Sequence, residues 1–176
     1  MFLNYKPTWM VAKITQLTAA DLRRQGIKAI LTDLDNTLIA WDNPTGTPEL
    51  RTWIKTMQDS GMPVVVVSNN SAARISRAVA SMKLPFIARA LKPLSIGIRR
   101  AKVQLNLSSD ELVMVGDQLI TDMIAANSSH IRTVLVRPLI ETDAWNTRIN
   151  RFFEKFLMRR LRRRHPELQW KERLDG

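Results

Sequence analysis

The chain has 176 residues, and 27 Lys and Arg against 16 Asp and Glu give it a net charge of +11 at pH 7. It contains no cysteine, which excludes disulfides and thiolate metal sites, and it has no run of roughly 18 apolar residues that would form a transmembrane helix. The length suits one domain with a sizeable core. No signal-peptide pattern opens the chain, and the lack of cysteine fits a reducing cytosol, so a cytoplasmic protein is predicted. The high positive charge predicts attraction to polyanions.

Apolar strands alternate with helices along most of the chain. Buried-type apolar runs predict strands at residues 27–32, 63–67, 86–88, 111–115 and 131–136. Helices are predicted between them, starting at the caps Thr18, Thr47 and Ser71, after residue 92, and over residues 119–126. This alternation predicts an α/β fold with a doubly wound parallel sheet. The loops after the first two strands are too short to hold a separate cap domain.

Two aspartates, Asp33 and Asp35, follow the first predicted strand. Side chains at i and i+2 of an extended chain point the same way, so both carboxylates are expected to face one site at the ligand-binding edge of the sheet. Like charges there repel unless a cation or a proton lies between them. One aspartate is then a nucleophile and the other an acid/base, with Mg²⁺ holding the site together. The alternative is a strand that ends in an Asp/Asn-rich turn.

Other polar groups follow later strands of the predicted sheet. Ser68 and Asn69 come after the second strand, Lys92 stands just before a proline that starts a helix, and Asp117 and Asp122 follow the strand at residues 111–115. Because parallel strands bring their carboxyl ends to one edge, these side chains are expected to gather around the first two aspartates.

The ordered motifs resemble those of a known superfamily. D-x-D-N-T-L, then S-N-N, then K-P, then G-D-x-x-x-x-D is similar to the four motifs of the haloacid dehalogenase superfamily of phosphatases. The local sequence resembles the YqeG family in the small-capped subfamily IIIA, at residues 34–37, 67–70, 116–118, 121–122 and 147–150. The similarity extends from about residue 5 to about residue 156. It implies a Rossmann-like phosphatase core with a minimal cap.

The resemblance implies catalytic roles for the two aspartates of the first motif. Asp33 would attack phosphorus and form an aspartyl-phosphate, and Asp35 would protonate the leaving alcohol and then activate water. The implied cofactor is Mg²⁺, held by the Asp33 carboxylate, the Asp35 backbone carbonyl and Asp117.

The remaining motif residues would bind the phosphoryl group or support those that do. The resemblance implies that Ser68, Asn69 and Lys92 contact phosphate, and that Asp122 orients Lys92 or a metal-bound water. The alternatives are a cap or turn at Ser68, a surface charge at Lys92 and a helix-start carboxylate at Asp122. Trp41 lies where the superfamily has a flap over the site, and it is a candidate substrate contact.

The last part of the chain is strongly basic, with ten Lys and Arg against four Asp and Glu from residue 148 to residue 176. A helix is predicted over residues 149–161 within it. Its apolar residues recur at three- and four-residue steps and share one broad face: Ile149, Phe152, Phe153, Phe156, Leu157 and Leu161. The chain is therefore interpreted as a phosphatase core, residues 1–147, followed by a basic amphipathic helix and tail, residues 148–176.

Three interpretations of this basic segment remain open. A basic amphipathic helix with phenylalanines predicts peripheral contact with an anionic membrane through Arg148–Arg164. A helix that packs its apolar face on the sheet and leaves its basic face in water needs no partner. RNA is a third polyanion that such a segment attracts, but no recognised RNA-binding motif accompanies it.

The YqeG family is similar to phosphatidylglycerophosphate phosphatases, which implies a phospholipid head group as the substrate. The leading interpretation is an Mg²⁺-dependent phosphomonoesterase acting on phosphatidylglycerophosphate at the inner face of the membrane. The alternatives are a soluble sugar, nucleotide or protein phosphate, or an RNA- or ribosome-binding protein that keeps a phosphatase fold.

Overall fold

Six strands and six α-helices make up the described part of the computed structural model, residues 4–140 and 148–174. The strands are β1 (Trp9–Met10), β2 (Ala29–Thr32), β3 (Val64–Val67), β4 (Phe86–Ile87), β5 (Leu112–Gly116) and β6 (Arg132–Leu135). The helices are α1 (Ala19–Arg24), α2 (Pro48–Asp59), α3 (Ala72–Val79), α4 (Ile96–Leu105), α5 (Ile124–Asn127) and α6 (Arg148–Arg164). A π-helical segment, Leu119–Met123, runs directly into α5.

The strands form one parallel sheet in the order β1-β6-β5-β2-β3-β4. The chain moves outward from β2 through β3 to β4, then crosses back to β5 on the other side of β2. This reversal places the topological switch point between β2 and β5, where open α/β sheets bind ligands. The predicted doubly wound α/β fold is confirmed.

Both faces of the sheet are covered, which explains why its strands are apolar throughout. Every residue of β2, β3 and β5 is buried. On one face Ile30 and Val66 pack with residues of α1, α2 and α3. On the other face Leu31 and Val67 pack with residues of α4 and α5. Burial on two faces removes the alternation that marks a half-exposed strand.

The predicted helix starts are present. Thr18, Thr47 and Ser71 each accept a hydrogen bond from the backbone N–H three residues later, which satisfies a donor at the helix N-terminus. Pro48 occupies the first position of α2, where its missing N–H costs nothing.

Two elements differ from the prediction. The two-residue strand β1 pairs with the edge of β6 and was not predicted, because so short a strand has no periodicity. The helix predicted at residues 119–126 begins instead as the π-helical segment.

The C-terminal helix α6 packs partly against the π-helical segment. Leu161 is buried in a cluster with Leu119 and Met123 of the π-helical segment, and Leu157 packs against the same cluster. The chain then continues along β1 to Leu174, which is buried in the main core. None of the helices in the described ranges is both long and apolar enough to span a bilayer.

Candidate active site

The predicted site residues meet at the switch point of the sheet. Asp33 follows β2 directly and Asp117 follows β5 directly, and the Asp33 backbone N–H donates to the Val115 carbonyl at 3.0 Å. The two carboxylates therefore leave neighbouring strands at the same edge.

Three carboxylates converge there. Oxygen atoms of Asp33, Asp117 and Asp122 all lie within 4.8 Å of one another. Thr37 donates a hydrogen bond from Oγ1 to Asp117 Oδ1 at 3.1 Å. A set of hard oxygen donors this close is the chemistry that Mg²⁺ prefers, so these residues fit the predicted metal.

Lys92 lies inside this cluster. Its Nζ is 2.9 Å from Asp33 Oδ1 and 2.7 Å from Asp122 Oδ1, and its side chain is only 2% exposed. The second oxygen of Asp122 accepts from the Gln118 backbone N–H at 3.1 Å. Asp122 thus holds Lys92 with one oxygen and the Gln118 backbone with the other, and the supporting role predicted for it stays a prediction.

The loop that carries Lys92 is held by Asn69. The Asn69 side-chain amide donates to the Lys92 carbonyl at 2.9 Å, and its oxygen accepts from the Lys92 N–H at 2.8 Å. Leu91 adopts a left-handed backbone, φ 58°, and the Lys92–Pro93 peptide is cis. The Asn69 side chain therefore holds the Lys92 backbone through both of its polar ends, while its contact with substrate stays a prediction.

Asp35 belongs to a second network at the rim of the site. Asn70 donates from Nδ2 to Asp35 Oδ2 at 2.6 Å and to Ser68 Oγ at 3.0 Å, which links the predicted acid/base to the predicted phosphate contact. Arg74 of α3 forms a two-pronged ion pair with the Asp35 carboxylate, at 2.7 and 2.8 Å. The Asp35 carboxylate is thus held by Arg74 and Asn70, and it is not one of the three carboxylates that converge. The backbone carbonyl of Asp35 is the group predicted to bind the metal.

The sequence interpretation did not include Arg74. The sequence does contain one indication of its role. A cation in the first turn of a helix is unfavourable beside the helix dipole, so an anionic partner nearby would be expected.

The π-helical segment aims Asp122 at Lys92, and α6 supports it. Glu154 of α6 accepts from the backbone N–H groups of Leu119 and Ile120 at 2.9 and 2.7 Å, so it caps the start of this segment. Gly116 leaves the space that Asp122 fills, because a Cβ atom there would overlap the Asp122 carboxylate. Neither Glu154 nor Gly116 was predicted as a supporting residue of the site.

Comparison with known proteins assigns this arrangement to a family. The family model described as haloacid dehalogenase-like hydrolase matches residues 2–130 of the chain. The chain belongs to the haloacid dehalogenase-like hydrolases. The predicted superfamily is confirmed, and with it the class of phosphatase enzyme.

Relatives of this hydrolase refine the placement within the family. It is 36% identical to the probable phosphatase YqeG of Bacillus subtilis over 96% of the chain and 97% of that protein, which confirms the predicted YqeG resemblance. It is 27% identical to the phosphatidylglycerophosphate phosphatase 1 of Arabidopsis thaliana, over 81% of the chain but only 40% of that protein.

A solved structure shares the fold of this hydrolase. The N-terminal part of the Bacteroides fragilis protein BF1531, which contains a phosphatase domain complexed with Mg, superimposes with a TM-score of 0.56 at 19% identity. The match covers 68% of the chain and 38% of that structure.

Crowded charges perturb the hydrolase site. Burial raises the pKa of the Asp33 carboxyl to about 6, although the Lys92 ammonium opposes the rise. Burial and the charges of Asp122 and Asp33 raise the pKa of Asp117 well above its ordinary value. Burial alone would lower the pKa of Lys92, but the two carboxylates beside it outweigh burial and raise it. The site therefore has an excess of negative charge that a divalent cation would relieve.

The metal-free hydrolase is expected to lose stability as the pH rises, and Mg²⁺ is expected to restore it. The folded pKa of Asp33, about 6, exceeds its ordinary value of 3.8. Its contribution to the free energy of unfolding is thus fully present below 3.8 and is lost as the pH passes about 6. That loss is on the order of 3 kcal/mol, because one pKa unit corresponds to about 1.4 kcal/mol. Thermal melts in EDTA and in Mg²⁺, at about pH 5 and about pH 7.5, should show the larger Mg²⁺-dependent rise in Tm at the higher pH.

The control for the titration is Asp33→Asn in EDTA, whose Tm should fall less than that of the wild type between the two pH values. An equal rise in Tm at both pH values would contradict the expectation.

Trp41 remains a candidate contact only by its position. It is exposed, in the loop between β2 and α2 that begins beside Asp35, where Asn36 donates its N–H to the Ile39 carbonyl at 2.7 Å. This loop is the place of the predicted flap.

Proposed function

We propose that the protein hydrolyses a phosphomonoester through an aspartyl-phosphate on Asp33, with phosphatidylglycerophosphate as the substrate. The single observation that supports it most is the buried ion triad of Asp33, Lys92 and Asp122 beside Asp117 at the sheet switch point. In this triad Lys92 holds Oδ1 of Asp33, which orients the carboxylate and offsets charge as it approaches a phosphate anion.

The chemistry divides into two steps. In the first, an Asp33 carboxylate oxygen forms a bond to phosphorus while the bond from phosphorus to the alcohol oxygen breaks, and Asp35 gives its proton to that oxygen. In the second, Asp35 takes a proton from water as the water oxygen bonds to phosphorus. The bond to Asp33 then breaks, and inorganic phosphate leaves. Ser68 and the backbone amides beside it would donate to the phosphoryl oxygens.

Mg²⁺ fits this proposal because the donor set is made of oxygens. The Asp33 and Asp117 carboxylates and the Asp35 backbone carbonyl would hold it, while Asp122 stays with Lys92. When bound, Mg²⁺ supplies positive charge that offsets the repulsion between the nucleophile and the phosphate. The Mg complex of the BF1531 phosphatase domain supports this assignment.

The lipid substrate is supported by the surface of α6 as well as by the Arabidopsis relative. Phe152, Phe153 and Phe156 are 69%, 52% and 55% exposed, although they are large apolar side chains. We call these three residues the phenylalanine patch. Beside it, Phe156 and four arginines line an open groove of about 410 Å³: Arg159, Arg160, Arg163 and Arg164.

The predicted apolar face of α6 is divided in two by the packing. Leu157 and Leu161 turn toward the protein, whereas the phenylalanine patch faces water next to the arginine groove. An exposed apolar patch bordered by arginines matches the chemistry of an anionic bilayer surface, with acyl chains below phosphates. Because Glu154 and Leu161 of the same helix contact the segment that carries Asp122, a membrane held by α6 lies near the site.

The test is phosphate release from phosphatidylglycerophosphate in mixed micelles and in anionic vesicles. With Mg²⁺ the wild type should hydrolyse the lipid in micelles and in vesicles, and in EDTA it should hydrolyse it in neither. The triple variant Phe152→Ser, Phe153→Ser and Phe156→Ser should hydrolyse the lipid in vesicles about 10-fold or more slowly. The reason is that the phenylalanine patch is needed to hold the protein at the surface where the substrate lies. Turnover of a water-soluble head group should not change.

The matched control is Val103→Ser, which removes an exposed apolar side chain from α4. Turnover of soluble phosphomonoesters alone would retain the mechanism and reject the lipid. No turnover of any ester, together with RNA binding that persists in the triple variant, would favour the nucleic-acid alternative.

A further inference from the structure

Arg74 forms an ion pair with Asp35, the proposed acid/base, and occupies its carboxylate. Arg74 Nη2 donates to Asp35 Oδ1 at 2.8 Å, and Arg74 Nη1 donates to Oδ2 at 2.7 Å. Asn70 also donates to Oδ2, at 2.6 Å. Both oxygens of the carboxylate therefore already accept hydrogen bonds, and the Asp35 side chain is directed at Arg74 and Asn70.

Arg74 is placed so that it can leave this pairing. Its side chain is 44% exposed and that of Asp35 is 34% exposed, in contrast to the buried Lys92. In residues 4–140 and 148–174 its guanidinium has hydrogen bonds to Asp35 alone, which use two of its five N–H groups. Solvent screens an ion pair at this exposure, so another anion can compete for the arginine.

The position of Arg74 identifies where such an anion would lie. Asp35 must approach the oxygen of the leaving alcohol, so a cation paired with Asp35 lies within reach of the leaving part of the substrate. In the proposed mechanism the cation that pairs with the phosphoryl group is Lys92, which is bound to Asp33 and Asp122 in the interior of the site.

We propose that Arg74 determines specificity by binding a second anionic group on the leaving alcohol, and that it gives up Asp35 when that group arrives. This inference rests on the proposed phosphatase function and names the feature of the substrate that Arg74 recognises, an alcohol that carries a phosphodiester or another phosphate. A planar guanidinium that now pairs with a carboxylate in two-pronged fashion pairs equally well with two phosphate oxygens. The exchange frees Asp35 only when the correct leaving group is present.

The experiment compares two soluble substrates that differ in the charge of the leaving alcohol. One is glycerol phosphate, whose alcohol is neutral, and the other is glycerophosphoglycerol phosphate, whose alcohol carries a phosphodiester. Arg74→Gln should lower kcat/KM for the second substrate by about 10- to 100-fold, the usual scale for a lost charged hydrogen bond. For glycerol phosphate it should leave kcat/KM unchanged or raise it, and Arg74→Lys should recover part of the loss.

Arg77→Gln is the matched control, because Arg77 lies on the same helix and donates to the Ala73 carbonyl of that helix at 3.3 Å. It should alter neither substrate. Equal losses on both substrates in Arg74→Gln would overturn the proposal and leave Arg74 as a group that orients Asp35. No loss on either would overturn it as well.

A binding measurement separates this inference from the proposed function. Glycerophosphoglycerol phosphate is titrated by calorimetry into Asp33→Asn and into the double variant Asp33→Asn with Arg74→Gln. Because neither protein has the nucleophile, the titration measures affinity without turnover. If the wild type hydrolyses neither substrate, the proposed substrate fails, but affinity that falls with Arg74→Gln still supports the anion site. Equal affinity in the two variants overturns the site.

Discussion

Asp33→Asn is expected to reduce phosphate release by about 10⁴-fold or more, the scale on which loss of a catalytic nucleophile is felt. An amide cannot form the phosphoryl-enzyme bond, yet asparagine has nearly the same shape, and its Oδ1 can still accept from Lys92, which lies 2.9 Å from Asp33 Oδ1 in the wild type. The measurement is initial-rate phosphate release on whichever phosphomonoester the wild type turns over fastest.

The fold of the variant should be preserved, so circular dichroism and thermal melting serve as its control. Because one charge is removed from the crowded cluster of Asp33, Asp117 and Asp122, Tm in EDTA should be equal to or above that of the wild type. Residual activity above about one per cent of the wild type, in protein purified apart from any wild-type enzyme, would argue against Asp33 as the nucleophile.

Lys92→Met is expected to lower the free energy of unfolding by about 3–5 kcal/mol and to remove activity. The lysine is the positive partner of both Asp33 and Asp122 in a nearly dry environment, and methionine leaves two carboxylates without compensation. Urea denaturation in EDTA measures the stability change, and the same phosphate assay measures the activity.

A double variant, Lys92→Met with Asp122→Asn, distinguishes charge from packing. If the loss of stability comes from the unpaired carboxylate, removing the Asp122 charge should recover part of it, while activity stays absent because the phosphate has lost its cation. A double variant less stable than Lys92→Met alone would show that Asp122 supports the fold in another way, such as its bond to the Gln118 N–H.

The sheet and the acidic cluster were predictable because each depends on a strong local signal. Two-sided burial makes β2, β3 and β5 continuous apolar runs, and a polar residue directly after such a run has to lie at the sheet edge. Asp33 and Asp117 therefore followed from their places in the sequence once the strands were recognised.

The supporting groups were not predictable in the same way, because they depend on tertiary geometry. The two hydrogen bonds by which the Asn69 side chain holds the Lys92 backbone, for example, follow from the turn after β3. Arg74 and Glu154 come from helices whose orientation relative to the site no local pattern specifies. Periodicity predicted the apolar side of α6, but could not tell which of its residues the protein covers and which face water.

Glu154 caps the π-helical segment and so connects the surface helix α6 to the candidate active site. The stability of each therefore depends on the other. The Glu154 carboxylate stabilises the same backbone turn that holds Asp122 against Lys92. Free-energy coupling of this kind is reciprocal. Whatever raises the population of docked α6 therefore also raises the population of aligned Lys92. By the same reasoning, deleting the helix would disturb the catalytic centre together with the surface, and only substitutions on its outward side examine the surface by itself.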